Sequence, residues 1–356
     1  MRPLHPATTA LTTAILTKAA ATIDCGAAAR AAAAAVSIPA FLPSGIVSPP
    51  LAAHRKPFVS SSQPLRVPFS SRRGVAPSIK TERAKMAAAD EPGFFWDHLT
   101  SVGSTQDEAR ERLGADGGGD PQHIAISASE QSKGRGTSGR DWIGRRGNTF
   151  VTICVPSDNL SFIPITLLPL KVGSIVADQV GRRLKEGESA AKVSVKWPND
   201  VLVDDRKIAG ILIENHYDTL SKTYWFLVGV GINLAHAPEI EPTGPKRGRR
   251  STCLADHCTV DEDGVRQAQD LAGDIARGLH EWVQEGMHSV GDVDDKSVAS
   301  AVVSEWSSWA EFGKDQVMRD KPGNEVVTPV GIEADGQLRV RDLHGKESLL
   351  CSDYLL

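Results

Sequence analysis

Near residue 85 the composition of this 356-residue chain changes abruptly, and that change decides which part of it can fold. Residues 1–85 contain eleven Lys and Arg but only two acidic residues, and they are rich in Ala, Ser and Pro. Such a stretch has too few large apolar residues to bury a core, and its composition is typical of an organelle transit peptide. We therefore predict a disordered transit peptide over residues 1–85 and a folded part that begins near residue 94.

The charge of the folded part limits the partners that the chain can bind. The formal net charge of the whole chain is −4, but the residues after 85 carry 42 acidic against 29 basic residues. General nucleic-acid binding needs clustered cations, so this composition argues against a DNA partner. No run of 18 apolar residues occurs, so the sequence predicts no membrane-spanning helix.

The five cysteines show no spacing that is typical of a disulfide framework or a zinc site. Cys253, His257 and Cys258 could contribute to a metal site, but no second pair of ligands accompanies them. Free thiols in a reducing compartment are the better interpretation.

Hydrophobic periodicity predicts a mixed domain of helices and strands, followed by a small β domain. Helices are predicted over residues 104–113, 166–185 and 265–285, and strands over 123–128, 149–155, 193–196, 201–203, 208–214 and 224–230. Short β segments follow at 316–318, 325–330, 337–341 and 347–351, with Asp335-Gly336 as a hairpin turn. We therefore predict a first domain over residues 94–300 and a β-barrel over residues 305–356.

Three closely spaced glycines, Gly134, Gly136 and Gly139, lie in a stretch that also contains Arg135 and Arg140. Glycines let backbone N–H groups approach a ligand, and arginines bind anions. The spacing matches the dinucleotide fingerprint, but that fingerprint requires a helix to begin inside it. The following residues predict another loop leading into a strand, which disfavours a nucleotide-dependent oxidoreductase. An anion-binding loop and a plain surface turn both remain open.

Two further blocks carry residues that are unusual for plain strands. Residues 196–200 read KWPND, and Lys207 and Gly210 follow shortly after. Lys196 and Lys207 each adjoin apolar strand positions, where an ammonium is useful mainly if it meets an anion. A glycine inside a strand indicates close approach of a ligand or a bulge. The third block, GVGINL at residues 229–234, indicates a pocket lined by backbone.

These blocks, in this order and spacing, resemble the biotin–protein ligase (holocarboxylase synthetase) family over about residues 94–356. The family pattern is GRGRxGRxW, KWPND, RKxxGIL(V/I)E and GIGIN, followed by a small C-terminal barrel. The resemblance implies an α+β fold: a mixed sheet with flanking helices, like that of class II aminoacyl-tRNA synthetases, and an SH3-like β-barrel. It implies ATP-dependent biotinylation of a carrier-domain lysine through biotinyl-5′-AMP, with ATP and biotin as substrates and Mg²⁺ as the metal. The implied partners are the biotin carboxyl carrier domains of acetyl-CoA carboxylase and other biotin-dependent carboxylases.

The resemblance also implies a role for each matched residue. Arg135 and Lys207 would be catalytic. The biotin-binding residues would be Ser104, Thr105, Gln106, Gln131, Gly134, Arg135, Gly136, Thr137, Lys207 and Gly210. The ATP-binding residues would be Arg140, Trp142, Lys196, Asn199 and Asn233.

Two departures from the family pattern change what is expected. Thr137 stands where the family has a further basic residue, which predicts looser retention of the adenylate. The segment before Phe94 shows no helix-turn-helix, so DNA binding by a repressor-type member is not implied. A lipoate–protein ligase of the same fold is the alternative function. For localisation we expect a plastid first and a mitochondrion second, with a cytosolic form that begins at Met86.

Overall fold

The computed structural model describes residues 94–115, 123–239, 250–261, 263–289, 295–317 and 326–351. All of them belong to the unit Gly74–Leu356. The predicted transit peptide and the predicted start at Met86 lie outside the described residues.

A seven-stranded mixed sheet forms the centre of this unit. The first nine strands are β1 Phe94–Leu99, β2 His123–Ala128, β3 Gln131–Arg135, β4 Asp141–Gly144, β5 Thr149–Pro156, β6 Val193–Lys196, β7 Asp200–Val203, β8 Arg206–Asp218 and β9 Thr223–Ile232. The sheet has the order β1-β2-β5-β9-β8-β7-β6, whereas β3 and β4 form a separate hairpin. Only the pairing of β1 with β2 is parallel among these strands. The predicted strands are confirmed, with β8 and β9 longer than expected.

Helices cover both faces of the sheet, but unequally. They are α1 Thr105–Ala115, α2 Leu168–Glu186, α3 Val265–His288 and α4 Asp295–Trp309. Apolar residues recur every fourth position in α2 and α3, so each helix buries one stripe. Helices α2, α3 and α4 share the main core with Ile153 of β5. The neighbouring Cys154 points to the opposite face, where Ala109 and Leu113 are the apolar residues of α1 in the core cluster. On this second face, positions 210 and 212 of β8 and positions 229 and 231 of β9 remain partly exposed.

A small four-stranded antiparallel sheet follows, as the predicted SH3-like domain requires. Its strands are β10 Gln316–Val317, β11 Val326–Ile332, β12 Leu338–Asp342 and β13 Glu347–Leu350. The predicted turn at Asp335-Gly336 joins β11 to β12, and Gly336 has a φ of 84° that favours glycine. The indole N–H of Trp197 donates to the Gly336 carbonyl at 3.0 Å, which ties this sheet to the KWPND turn.

One prediction about local structure was wrong, and one helix was not predicted. The glycine-rich stretch is not a loop: it forms the hairpin of β3 and β4 around a short 3-10 turn at Thr137–Gly139. Glycine and charged residues hide the alternation that marks a strand, so the pattern gave no hairpin signal. Helix α4 was also not predicted, and its Trp306 lies in the main core. The first strand of the small sheet, β10, begins at Gln316 as predicted, and helix α4 spans the predicted boundary between residues 300 and 305.

Within the described ranges, no helix combines the length and the hydropathy that a membrane span requires.

Candidate functional site

The second face of the sheet carries the candidate site, between the start of α1 and the β3–β4 hairpin. Ser104, Thr105 and Gln106 are each only 4% exposed. The backbone N–H of Gln106 donates to the Ser104 hydroxyl at 3.3 Å, which is a typical N-cap contact for a helix. The Gln106 side-chain amide donates to the carbonyls of Leu212 and Leu227, at 3.1 and 3.3 Å. The helix start is thus fixed directly onto β8 and β9.

Gln131 of β3 is brought to this helix start. Its side-chain oxygen accepts a hydrogen bond from the Thr105 backbone N–H at 3.2 Å. The Thr105 hydroxyl in turn accepts one from Thr152 of β5 at 2.9 Å. Four of the residues that the family resemblance assigned to biotin, Ser104 to Gln106 and Gln131, therefore form one connected polar cluster.

Trp142 of β4 covers the floor of the site. A Cβ atom on Gly231 would lie 2.5 Å from its ring, and one on Gly210 would lie 2.9 Å from it. Only glycine permits such close packing at these two strand positions. The indole Nε1 is buried, and no hydrogen-bond partner for it occurs in the described part of the chain. A buried donor of this kind is costly unless an acceptor, such as a ligand atom, reaches it.

Lys207, at the beginning of β8, lies beside Trp142 in the same part of the site. Its Nζ lies 2.6 Å from Asp200 Oδ1 and 5.4 Å from the centre of the Trp142 ring. Its backbone is held by residues 250–252, because Lys207 N donates to the Arg250 carbonyl and Thr252 N donates to the Lys207 carbonyl. The ammonium is thus fixed by a carboxylate, an aromatic ring and a paired backbone.

The two asparagines assigned to the nucleotide make structural contacts. The Asn199 amide donates to the Ile211 carbonyl at 2.7 Å, and the Asn233 amide donates to the Thr252 carbonyl at 3.1 Å. Both side chains are buried. Lys196 ends β6 and pairs in register with Asp200 across the Pro198 turn. These contacts hold the strand ends around Lys207.

Arg135 takes part in a cluster of four charged side chains. It forms hydrogen bonds of 2.8 and 2.9 Å with the two carboxylate oxygens of Asp107, and a third of 3.3 Å with Glu214. Arg110 contacts Glu214 at 2.8 Å and Asp107 at 3.1 Å. The hydrogen bonds from Arg135 lower the pKa of Asp107, and those to Asp107 raise the pKa of Arg135.

Arg140 folds back onto Thr137 inside the hairpin. Its Nε donates to the Thr137 carbonyl at 3.0 Å, and its Nη2 donates to the Thr137 hydroxyl at 2.7 Å. A guanidinium therefore lies beside position 137, although that position has no basic side chain of its own.

Three members of this site were not predicted from the sequence: Asp107, Arg110 and Glu214. A carboxylate in the first turn of a helix has an ordinary explanation in the helix dipole, which concealed the pairing of Asp107 with Arg135. Glu214 matches the last residue of the pattern RKxxGIL(V/I)E, but the pattern assigned it no role. The signal that could have found the cluster is the coincidence of two acids and two arginines on segments that flank the same pocket.

Comparison with known proteins agrees with this geometry. Residues 119–233 match the model of the biotin/lipoate A/B protein ligase family. That range contains the glycine hairpin, the KWPND turn, Lys207 and the two glycines under Trp142. This part of the chain is therefore similar in sequence to that family.

Two relatives of this chain carry the name biotin–[acetyl-CoA-carboxylase] ligase. The protein of Mycobacterium tuberculosis is 26% identical over 251 residues, which cover 70% of this chain and 84% of the relative. The protein of Paracoccus denitrificans is 32% identical over 127 residues, which cover 34% of this chain and 48% of the relative. The match thus spans about half the length of the Paracoccus protein and most of the Mycobacterium one.

The fold agrees with that of a solved ligase structure. The biotin protein ligase from Aquifex aeolicus in complex with biotin and ATP aligns with a TM-score of 0.50 and 20% identity. The alignment covers 74% of this chain and 97% of that one. The mixed sheet with flanking helices and the small C-terminal sheet are the architecture of the biotin–protein ligases.

Proposed function

We propose that this protein is an ATP-dependent biotin–protein ligase that joins biotin to a lysine of biotin carboxyl carrier domains. The observation that carries the proposal is the placement of Lys207 and Trp142 over the glycines at positions 210 and 231. This arrangement offers a fixed cation for a carboxylate or phosphate, beside a flat aromatic surface with a free indole donor. The names of the two relatives support biotin as the acyl substrate and favour it over lipoate.

The first step that we propose activates the carboxyl group of biotin. A carboxylate oxygen of biotin attacks the α-phosphorus of ATP, a new O–P bond forms, and pyrophosphate leaves. The main obstacle is electrostatic, because an anion approaches a polyanion. Lys207 and Arg135 would reduce this repulsion. One preorganised contact of this kind lowers the activation free energy by ~3–4 kcal/mol.

The second step transfers the biotinyl group. The neutral amine of the carrier lysine attacks the carbonyl carbon of the mixed anhydride, a C–N bond forms, and AMP leaves with the electrons of the C–O bond. The amine gives up its proton in the process. The cations that assisted adenylate formation would also stabilise AMP as the leaving group.

For the substrates, we assign the ureido ring of biotin to Ser104, Thr105, Gln106 and Gln131, because these form the polar cluster at the helix start. Lys207 and Gly210 would meet the carboxylate. The hairpin residues Gly134, Arg135, Gly136 and Thr137 would cover the adenylate.

The nucleotide side of the site would combine contact residues with residues that shape the pocket. Trp142 and Arg140 would contact ATP, whereas Lys196, Asn199 and Asn233 would shape its wall. The described ranges contain no cluster of three or more His, Cys, Asp or Glu that could hold a metal. We propose that magnesium arrives with ATP, held mainly by phosphate oxygens and water.

For the partners, we propose the carrier domain of acetyl-CoA carboxylase first and those of other biotin-dependent carboxylases second. The acidic composition after residue 85 supports the absence of a DNA partner. A gel-shift experiment with promoter DNA should accordingly show no complex, and a specific complex would indicate a repressor.

For the localisation, we propose that residues 1–85 direct one form to a plastid. The mitochondrion is the second choice of organelle. A second form would begin at Met86 and stay in the cytosol. A fluorescent fusion of residues 1–90 should enter an organelle, and diffuse signal would contradict the transit peptide. Expression of the full-length transcript with Met86→Leu should abolish the short product, and its persistence would rule out this start.

The proposed function is tested by acceptor labelling. The purified full-length chain is incubated with labelled biotin, MgATP and an apo carrier domain, and in parallel with lipoate and an apo lipoyl domain. We expect label on the biotin carrier only, and none on a carrier whose acceptor lysine is replaced by arginine. Labelling of the lipoyl domain instead would establish the lipoate alternative.

A further inference from the structure

Asp107 connects the two parts of the site that must act together during adenylation. It lies in the first turn of α1, next to the cluster assigned to the ureido ring, and its carboxylate holds Arg135 of the hairpin. We propose that Asp107 is a positioning residue that fixes the Arg135 guanidinium and couples biotin at the start of α1 to an ordered glycine hairpin. This inference rests on the proposed function.

The geometry of the contact suits positioning better than stability. A bidentate pair fixes both the position and the rotation of the guanidinium plane, which a single contact does not. Glu214 of β8 adds a second anchor from the sheet at 3.3 Å. The side chains of Arg135 and Asp107 remain 34% and 48% exposed, so solvent screening leaves the pair little influence on folding.

Arg135 can keep this contact while it binds a phosphate. Its three hydrogen bonds to Asp107 and Glu214 use three of the five N–H groups that a guanidinium offers. Two N–H groups are left for an anion. Arg110, which contacts both carboxylates, balances the second negative charge of the cluster. The acids therefore hold Arg135 in place and need not be displaced when the adenylate forms.

The kinetic test compares Asp107→Asn with two other variants in biotin-dependent pyrophosphate exchange. Asp107→Asn keeps the size of the side chain but loses its charge, so kcat should fall about tenfold, equivalent to about 1.4 kcal/mol. The KM for biotin should stay within threefold of wild type. Asp107→Glu should restore most of kcat. The matched control is Asp97→Asn, which removes the 3.5 Å contact of Arg112 between α1 and β1, away from the hairpin.

A second measurement does not depend on activity. The substrate-free full-length protein is treated with trypsin, and cleavage after Lys133, Arg135 and Arg140 is followed by mass spectrometry. Asp107→Asn should be cut in the hairpin at least fivefold faster than wild type, while Asp97→Asn should match wild type.

Unchanged cleavage of Asp107→Asn, an unchanged kcat, or tighter ATP binding would each overturn the positioning role. Tighter binding would mean that Asp107 competes with the phosphate for Arg135. If wild type shows no biotin-dependent exchange, the proposed function fails, and the proteolysis comparison still decides whether Asp107 orders the hairpin.

Discussion

Replacing Lys207 with methionine removes one charge from the floor of the site and keeps the length of the side chain. At about 4 Å and an effective dielectric constant near 20, an ammonium and an anion attract each other by roughly 4 kcal/mol. This agrees with the ~3–4 kcal/mol measured for single preorganised contacts in other enzymes. Biotin-dependent pyrophosphate exchange by Lys207→Met should therefore slow by roughly 100- to 1000-fold.

The control for this variant is Lys171→Met, on the opposite face of the sheet. Lys171 Nζ lies 2.7 Å from Glu305, nearly the same distance as the 2.6 Å between Lys207 and Asp200. Each variant leaves one carboxylate without its partner, which costs about 1 kcal/mol of folding free energy or less at a partly exposed site. The two variants should melt at similar temperatures but differ in exchange. If Lys207→Met stayed within threefold of wild type, the role assigned to Lys207 would be wrong.

Three further predictions follow from the site and its surroundings. Gly231→Ala places a Cβ atom 2.5 Å from the Trp142 ring, and such overpacking costs about 1–3 kcal/mol. Because Trp142 is assigned to ATP, the KM for ATP in steady-state kinetics should rise about tenfold. Burial lowers the pKa of His98 from 6.5 to about 4, so the free energy of unfolding should fall by about 2.5 kcal/mol as the pH drops from 6.5 to 4, as measured by urea titration. Thr137→Arg should lower the background labelling of a mixed protein pool, because an added cation retains the adenylate more tightly.

Each of these predictions has an outcome that contradicts it. Gly273→Ala is the control for the glycine variant, since nothing lies within 4 Å of a Cβ there; equal KM values in both variants would remove the role of Trp142. For His98, the folded state stays neutral while the unfolded state binds a proton below pH 6.5, so stability is lost on acidification. A His98→Gln variant with the same pH dependence would show that other groups cause it. Equal background labelling by Thr137→Arg and wild type would mean that Arg140 already retains the adenylate.

The sequence was most informative where hydrophobic periodicity is strong. Helix α3 buries Leu271, Ile275, Leu279 and Val283 on one stripe, and its position was predicted well. The β3–β4 hairpin was missed because glycines and charged residues carry no alternation, and its pairing depends on Trp142 packing against distant strands. Such tertiary contacts are not encoded in any local pattern.

The site residues show the same difference between those predicted from the sequence and those that depend on tertiary contacts. The family resemblance predicted roles for Lys207 and Gln131, and the structure brings both to the same face as the start of α1. Their charged neighbours were not predicted, because ion pairs such as that of Asp107 with Arg135 join residues 28 positions apart. The role of each site residue stays a prediction until variants are measured.

The central claim is that the chain activates biotin as an adenylate before any carrier is present. The most direct measurement mixes the protein with labelled biotin and α-labelled ATP, without carrier, and analyses the quenched products by mass spectrometry. We predict one compound that contains both labels, with the mass of biotinyl-5′-AMP, and its conversion to biotinylated carrier and AMP in equal amounts once apo carrier is added. Pyrophosphate release without a doubly labelled product, or an adenylate that forms with lipoate and not with biotin, would contradict the account.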